Sequence, residues 1–188
     1  MLAVGLGNPG ASYAGTRHNV GADVIAVLAD RHGERLRRSV RDHALVAEAR
    51  VGPRRLALAF PQTYMNDSGR AVLPLLRRFG IEDVAGLVVV HDELDLPTGG
   101  LRVKVGGGLA GHNGLRSIKA HLHDDGFTRV RIGIGKPPGG PQRGADHVLA
   151  APSKRDRTEL ALTIQLAADA VELLLVEGAV AAQNQFNS

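Results

Sequence analysis

The chain has 188 residues, with 23 basic and 19 acidic side chains for a net charge of +4, 44% hydrophobic residues, no cysteine and no tryptophan. These counts exclude a disulfide framework, a thiol nucleophile, a Cys-ligated zinc and a disordered chain. Glu159, Asp169, Glu172 and Glu177 interrupt the most apolar stretch, and Met1 leads straight into LAVGLG, so neither a membrane span nor a secretory signal is expected and the chain reads as cytosolic.

In chain order, residues 2–6 form an apolar run ending at glycine, the pattern of a buried strand. Residues 8–18 are rich in Gly, Asn, Ser and Thr and read as a loop. Residues 19–32 carry Val20, Val24, Val27 and Leu28 at helical spacing, with Gly33 as a stop. Residues 44–49 and 56–60 are β-like stretches around Gly52 and Pro53, a hairpin. Asn66 or Asp67 can cap a helix whose apolar face is Val72, Leu75, Leu76 and Phe79, ended by Gly80. Residues 87–90 are almost wholly apolar, which predicts a strand buried on both faces. Residues 101–105 give a strand with basic residues on one side, and glycines then crowd residues 106–111. Residues 113–122 read as a helix, 130–134 as a strand and 136–144 as an exposed Pro- and Gly-rich loop. Ser153 opens a long amphipathic helix to about Val176. The alternation predicts an α/β fold: a single three-layer domain over 1–188, with a mixed, twisted sheet and helices on both faces.

Polar stations leave the predicted strands. GLGNPG (5–10) fits a glycine-rich dinucleotide fingerprint, and Asp30 has the spacing of its acidic partner, but ASYAGTRH follows where that motif needs a helix. The other reading is a turn that presents Asn8. TRHN (16–19) places His18 before a helix start, near the strand ends where α/β sheets collect ligands. In HDELD (91–95), Asp92 leaves the most buried strand and needs a partner. It can close a turn, join Glu93 and Asp95 in a hard-metal site, or hold an imidazole in one tautomer. GGGLAGHNG (106–114) lets backbone approach a ligand and places His112 and Asn113 at a helix start, either as amide donors to a ligand or as a flexible turn with Asn113 as cap. In PQTYMN (61–66), Tyr64 and Met65 suit a core and Asn66 a cap. Asn carries both donor and acceptor and can read an amide. A His base oriented by a carboxylate activates water against a carbonyl, and an ester suits this better than an amide because its leaving group departs more easily.

GLGNPG, Tyr13, TRHNVG, TYMNDSG, VVHDELDLPTG, GHNGLRSI and FTRVRIGIGKP, in that order, resemble the bacterial peptidyl-tRNA hydrolase family. The similarity runs from residue 2 to about residue 150, and the terminal helix suits the family too. The resemblance implies a monomeric, cytoplasmic esterase without metal or cofactor that cleaves the ester joining a peptide to the terminal adenosine of tRNA. It implies His18 as catalytic base, Asp92 as the carboxylate behind it, and Asn8 as the residue that separates N-blocked from free aminoacyl substrates. Tyr13, Tyr64, Asn66 and Asn113 match positions holding the acceptor end and its ester, and Met65 the apolar wall beside them. Arg102, Lys104 and Arg131 match positions holding phosphate. Leu109 and Ala110 depart from the family pattern, which bears on the flexibility of the glycine loop. Arg35, Arg37, Arg38 and Arg41, and Lys154, Arg155 and Arg157, are either solvated faces or phosphate contacts. Two tyrosines and four phenylalanines are too few for a base-stacking platform, so recognition should rest on shape and phosphate. A non-catalytic RNA-binding relative would not need His18, Asp92 and the three asparagines together.

Overall fold

Buried strands alternating with amphipathic helices build a seven-stranded mixed sheet covered on both faces. The computed structural model describes residues 1–187; Ser188, the last residue of the expected domain, lies outside the described residues. The strands are β1 (Leu2–Gly5), β2 (Arg37–Ser39), β3 (Ala44–Val51), β4 (Arg54–Pro61), β5 (Leu87–Glu93), β6 (Leu101–Val105) and β7 (Thr128–Gly133), in the order β2-β3-β4-β1-β5-β7-β6. β1 runs parallel to β4 and β5, and β5 parallel to β7. The β2–β3, β3–β4 and β6–β7 pairs are antiparallel. The helices are α1 (Val20–Arg31), α2 (Ser68–Arg78), α3 (Asn113–Leu122), α4 (Gly144–Leu149), α5 (Lys154–Val176) and α6 (Ala179–Phe186).

Side-chain alternation along the strands sorts the core into two layers. Ala3, Val88, Val90 and Val130 pack with Val24, Ile25, Ala167 and Val171 on the α1/α5 face. Leu2, Val4 and Val89 pack with Val72, Leu75, Leu115 and Ile118 on the α2/α3 face. Every residue of β5 is buried, as its apolar run implies.

Three elements depart from the sequence expectation. β2 has only three residues, Arg37 and Arg38 among them, with no periodicity to mark it. The expected loop at 136–144 ends in a 3-10 turn (Pro141–Arg143) and α4, which buries no residue and so leaves no apolar stripe in the sequence. α6 follows Gly178 and docks on β6. There the Asn187 side chain accepts the Val103 N–H (2.7 Å) and donates to the Val103 carbonyl (2.8 Å), occupying an otherwise open sheet edge. The long helix starts as expected, with Ser153 Oγ accepting the Asp156 N–H at 3.1 Å.

Glycines set the approach of α1 to the sheet. A Cβ on Gly21 would lie 2.2 Å from the Val90 carbonyl oxygen, and one on Gly5 2.1 Å from the Gly21 oxygen. Both obstacles are backbone and cannot rotate away. Gly21→Ala is therefore expected to cost about 3 kcal/mol by forcing α1 off β1 and β5. Urea unfolding checks this; a change below about 0.5 kcal/mol would contradict so tight a contact.

Candidate active site

The segment carrying His18 is fixed from several directions. Leu6 donates its N–H to the Val90 carbonyl and Ala22 donates to the Leu6 carbonyl, tying the β1 exit to β5 and α1. Asn19 Oδ1 accepts the Asn8 N–H, and Asn19 Nδ2 donates to the Asn8 carbonyl, each at 2.9 Å. Arg17 is buried beside His18 and donates to the carbonyls of His147, Ala150 and Ala151 and to the Asp156 carboxylate. One side chain thus fastens the end of α4 and the start of α5 to the 3-10 turn Arg17–Asn19 that presents His18.

Asp92, the penultimate residue of β5, is 3% exposed and sits between two imidazoles. His18 Nδ1 lies 2.8 Å and His112 Nε2 2.9 Å from the same oxygen, Asp92 Oδ1. The partners fix the tautomers. His112 Nδ1 accepts the Gly114 N–H at 3.1 Å, so the His112 proton is on Nε2 and points at Asp92. His18 donates from Nδ1 to the carboxylate, which leaves a lone pair on its Nε2. Burial alone would raise the Asp92 carboxyl, but its contacts to His112 and His18 hold it well below the usual carboxylate range.

His91 is fully buried behind this group, its Nδ1 2.7 Å from the Asp92 carbonyl oxygen and its ring 5.0 Å from that of His112. Burial, then the neighbouring His112, pushes the imidazole down to about 3. The unfolded chain takes up this proton near pH 6.5 and the folded chain does not, so acidification below that value favours unfolding. His91→Leu is expected to flatten stability against pH by up to about 1.4 kcal/mol per unit between pH 6 and 4. An unchanged slope in urea titrations would contradict the assignment.

A cavity of about 230 Å³ opens on this group, and His18, Asp92, Glu93, His112, Asn113 and Val148 are among its walls. Of the remaining candidates Asn113 lines it, whereas Asn8, Tyr13, Tyr64, Met65, Asn66, Arg102, Lys104 and Arg131 are not among its walls. Asn8 is buried and its Oδ1 accepts the Met65 N–H at 2.7 Å, leaving Nδ2 as a donor. Met65 is a core residue, and Gly114 packs so closely on it that a Cβ there would lie 2.6 Å from the Met65 sulfur. Asn8 and Met65 do not line the cavity; Met65 packs on Gly114, the residue that follows Asn113 of its wall. Tyr13 and Tyr64 meet edge-to-face, 6.4 Å between ring centres, with Tyr64 62% exposed. Asn66 and Asn113 are exposed. The helix cap on α3 is His112, not Asn113 as one of the two readings of the motif has it, and His112 is the functional side chain that motif reading undervalues.

Arg102 and Arg131 are direct partners across β6 and β7, and Lys104 faces Arg129 two residues along the same pair of strands. Arg131 is held by Glu93 at 2.9 Å, which ties part of its charge to the cavity wall. Buried Arg129 donates to the Gly108 carbonyl at 2.7 Å and to the Gly106 carbonyl, anchoring the glycine loop. Within that loop Ala110 has φ +49°, a region that favours glycine, and Leu109 packs on the core.

His18, Asp92 and His112 present donor atoms within 4.8 Å of one another, a spacing open to a metal ion. Hydrogen bonding favours protons there. His112 already gives its Nδ1 lone pair to the Gly114 N–H, so ligation through Nε2 would need that bond broken or an imidazolate.

A family model described as peptidyl-tRNA hydrolase matches residues 2–188. A peptidyl-tRNA hydrolase of Cutibacterium acnes is 49% identical, covering 100% of this chain and 98% of that protein. One of Mycolicibacterium gilvum is 50% identical over 98% of this chain and 95% of its own. A crystal structure of peptidyl-tRNA hydrolase from Acinetobacter baumannii superposes with a TM-score of 0.93 at 39% identity, covering 100% of this chain and 94% of that one.

Proposed function

The chain belongs to the peptidyl-tRNA hydrolase family, and from that premise we propose how its residues divide the work. The enzyme hydrolyses the ester between a peptide, or an N-blocked amino acid, and the terminal adenosine of tRNA. The observation that carries the mechanism is the His18–Asp92 contact of 2.8 Å at the wall of the cavity, with His18 Nε2 left as a base.

His18 Nε2 takes a proton from water as the oxygen attacks the ester carbonyl carbon. Asp92 stabilises the imidazolium that forms and keeps the ring in place, and His112 fixes the carboxylate from its other side. The carbonyl oxygen gains charge in the tetrahedral intermediate, near Asn113 and the positive end of α3. His18 then returns the proton to the departing ribose oxygen. The products are the free acid and tRNA with its terminal hydroxyl restored.

Asn8 supplies specificity. Its oxygen is occupied by Met65, so the group it offers is an N–H donor, which suits the carbonyl of a blocked amine and opposes a free ammonium. Tyr13, Tyr64, Met65, Asn66 and Asn113 hold the acceptor end, and Arg102, Lys104 and Arg131 hold phosphate, with Glu93 orienting Arg131. We take the protein as a monomeric, single-domain cytoplasmic enzyme that needs no cofactor. No helix among the described residues is long and apolar enough to cross a membrane.

Product analysis on N-acetyl-aminoacyl-tRNA tests the reaction. N-acetyl amino acid and full-length tRNA are expected. Shortened RNA would mean phosphodiester cleavage and would overturn the ester mechanism.

A further inference from the structure

A groove of about 430 Å³ lies at the edge of the sheet remote from β6, and Glu34, Arg35, Arg37, Arg38, Glu48 and Arg78 line it together with Ser39 and two residues of β3. We propose that this edge is a second RNA contact, holding backbone phosphates of the tRNA body while the acceptor end occupies the catalytic cavity. The proposal rests on the peptidyl-tRNA reading above and adds to it a surface that reading does not use.

Charge is concentrated here. Residues 34–78 contain ten arginines and four carboxylates, an excess of six, whereas the whole chain has +4, so the rest of the protein carries a net −2. Arg35, Arg37 and Arg38 are exposed, and their side chains have no hydrogen-bond or ion-pair partner among the described residues. Arg78 is pre-set by Asp42 at 2.6 Å and Ser39 at 3.3 Å, with its guanidinium 5.1 Å from the centre of the Phe79 ring. Glu48 is neutralised by Arg55 at 2.8 Å, which leaves Glu34 as the groove carboxylate without an ion pair among the described residues. Guanidinium is the side chain best matched to phosphate, since its fork of donors grips two oxygens at once.

The placement suits one extended ligand. The pairing register runs in one row from Arg37 through Val46, Ala59, Val4, Val89 and Arg129 to Lys104. Partners in a row share a face, so Arg37 and Lys104 stand at opposite edges of the α2/α3 face. Six strand spacings separate them, about 29 Å along the sheet. A nucleic-acid helix covers that span in on the order of ten base pairs. A substrate held at Lys104 therefore has phosphates at the distance of the arginine edge.

Charges on an edge strand also discourage pairing with another chain. Arg37 and Arg38 suffice for that on a strand of three residues. Edge protection does not account for Arg35 before the strand or for Arg78, delivered to the same groove from the end of α2.

The test combines Arg35→Glu, Arg37→Glu and Arg38→Glu in one protein and compares N-acetyl-aminoacyl-tRNA with the same ester on a CCA trinucleotide. The account expects KM for the full tRNA to rise about tenfold, kcat to stay within about twofold and the salt dependence of binding to weaken by about two counterions. The trinucleotide kinetics should not change. A triple Arg→Gln variant, milder for the fold, should give the same pattern at smaller size. Unchanged KM for the full tRNA overturns the proposal and leaves the hydrolase reading standing. Equal loss on both substrates also overturns it, because the edge would then act through the catalytic cavity. Failure of wild type on both substrates would instead defeat the hydrolase reading itself.

Discussion

His18→Ala is expected to lower kcat for N-acetyl-aminoacyl-tRNA by about 10⁴-fold while leaving tRNA binding within a few-fold of wild type. General-base catalysis of this kind contributes about 10²–10⁴-fold, and the substitution also removes the proton that must return to the ribose oxygen. The fold should survive, because Asp92 keeps His112 as a hydrogen-bond partner and the turn around residue 18 is held by Arg17 and Asn19. Single-turnover kinetics with saturating enzyme separate the chemical step from binding. A variant that hydrolyses at the wild-type rate would remove His18 from the mechanism.

Asp92→Asn should reduce kcat by about 10²–10³-fold, less completely than loss of the base. The neutral amide can still accept a hydrogen bond from His18 Nδ1 but no longer stabilises the imidazolium. Both neighbours, His18 Nδ1 and His112 Nε2, donate to the one oxygen Oδ1, so only the rotamer that keeps the amide oxygen there preserves the two bonds. Full activity in this variant, measured as kcat on the same substrate, would show that the 2.8 Å contact plays no part in the chemistry.

The strands that carry the site were readable because each is a short apolar run ending in polar residues. His18 and Asp92 are 74 positions apart, and what joins them is the parallel pairing of β1 and β5, a consequence of sheet order that strand-end reasoning could anticipate. The second imidazole was harder to see. HNG before an apolar run reads first as a helix start with Asn113 as cap, whereas the cap is His112, whose other nitrogen reaches Asp92. A buried carboxylate at a strand end needs more than one donor, and that requirement was the available signal. The Arg131–Glu93 pair was illegible for a different reason. It depends on β7 lying beside β5, and in that register Arg131 is opposite His91, two residues from Glu93 on the same face. α4 and β2 stayed hidden because short exposed elements leave no periodicity. The arginine edge was visible as a cluster, but only the register across the sheet aligns it with Lys104.

The measurement closest to the central claim is the rate at which wild-type protein releases N-acetyl amino acid from tRNA, set against release of the same amino acid with its amine free, each with and without a strong chelator. The account predicts rapid hydrolysis of the blocked ester, unchanged by chelator, and hydrolysis of the free aminoacyl ester near the spontaneous rate. Equal rates on the two esters, or activity abolished by the chelator, would contradict a His18–Asp92 hydrolase whose Asn8 reads the blocked amine.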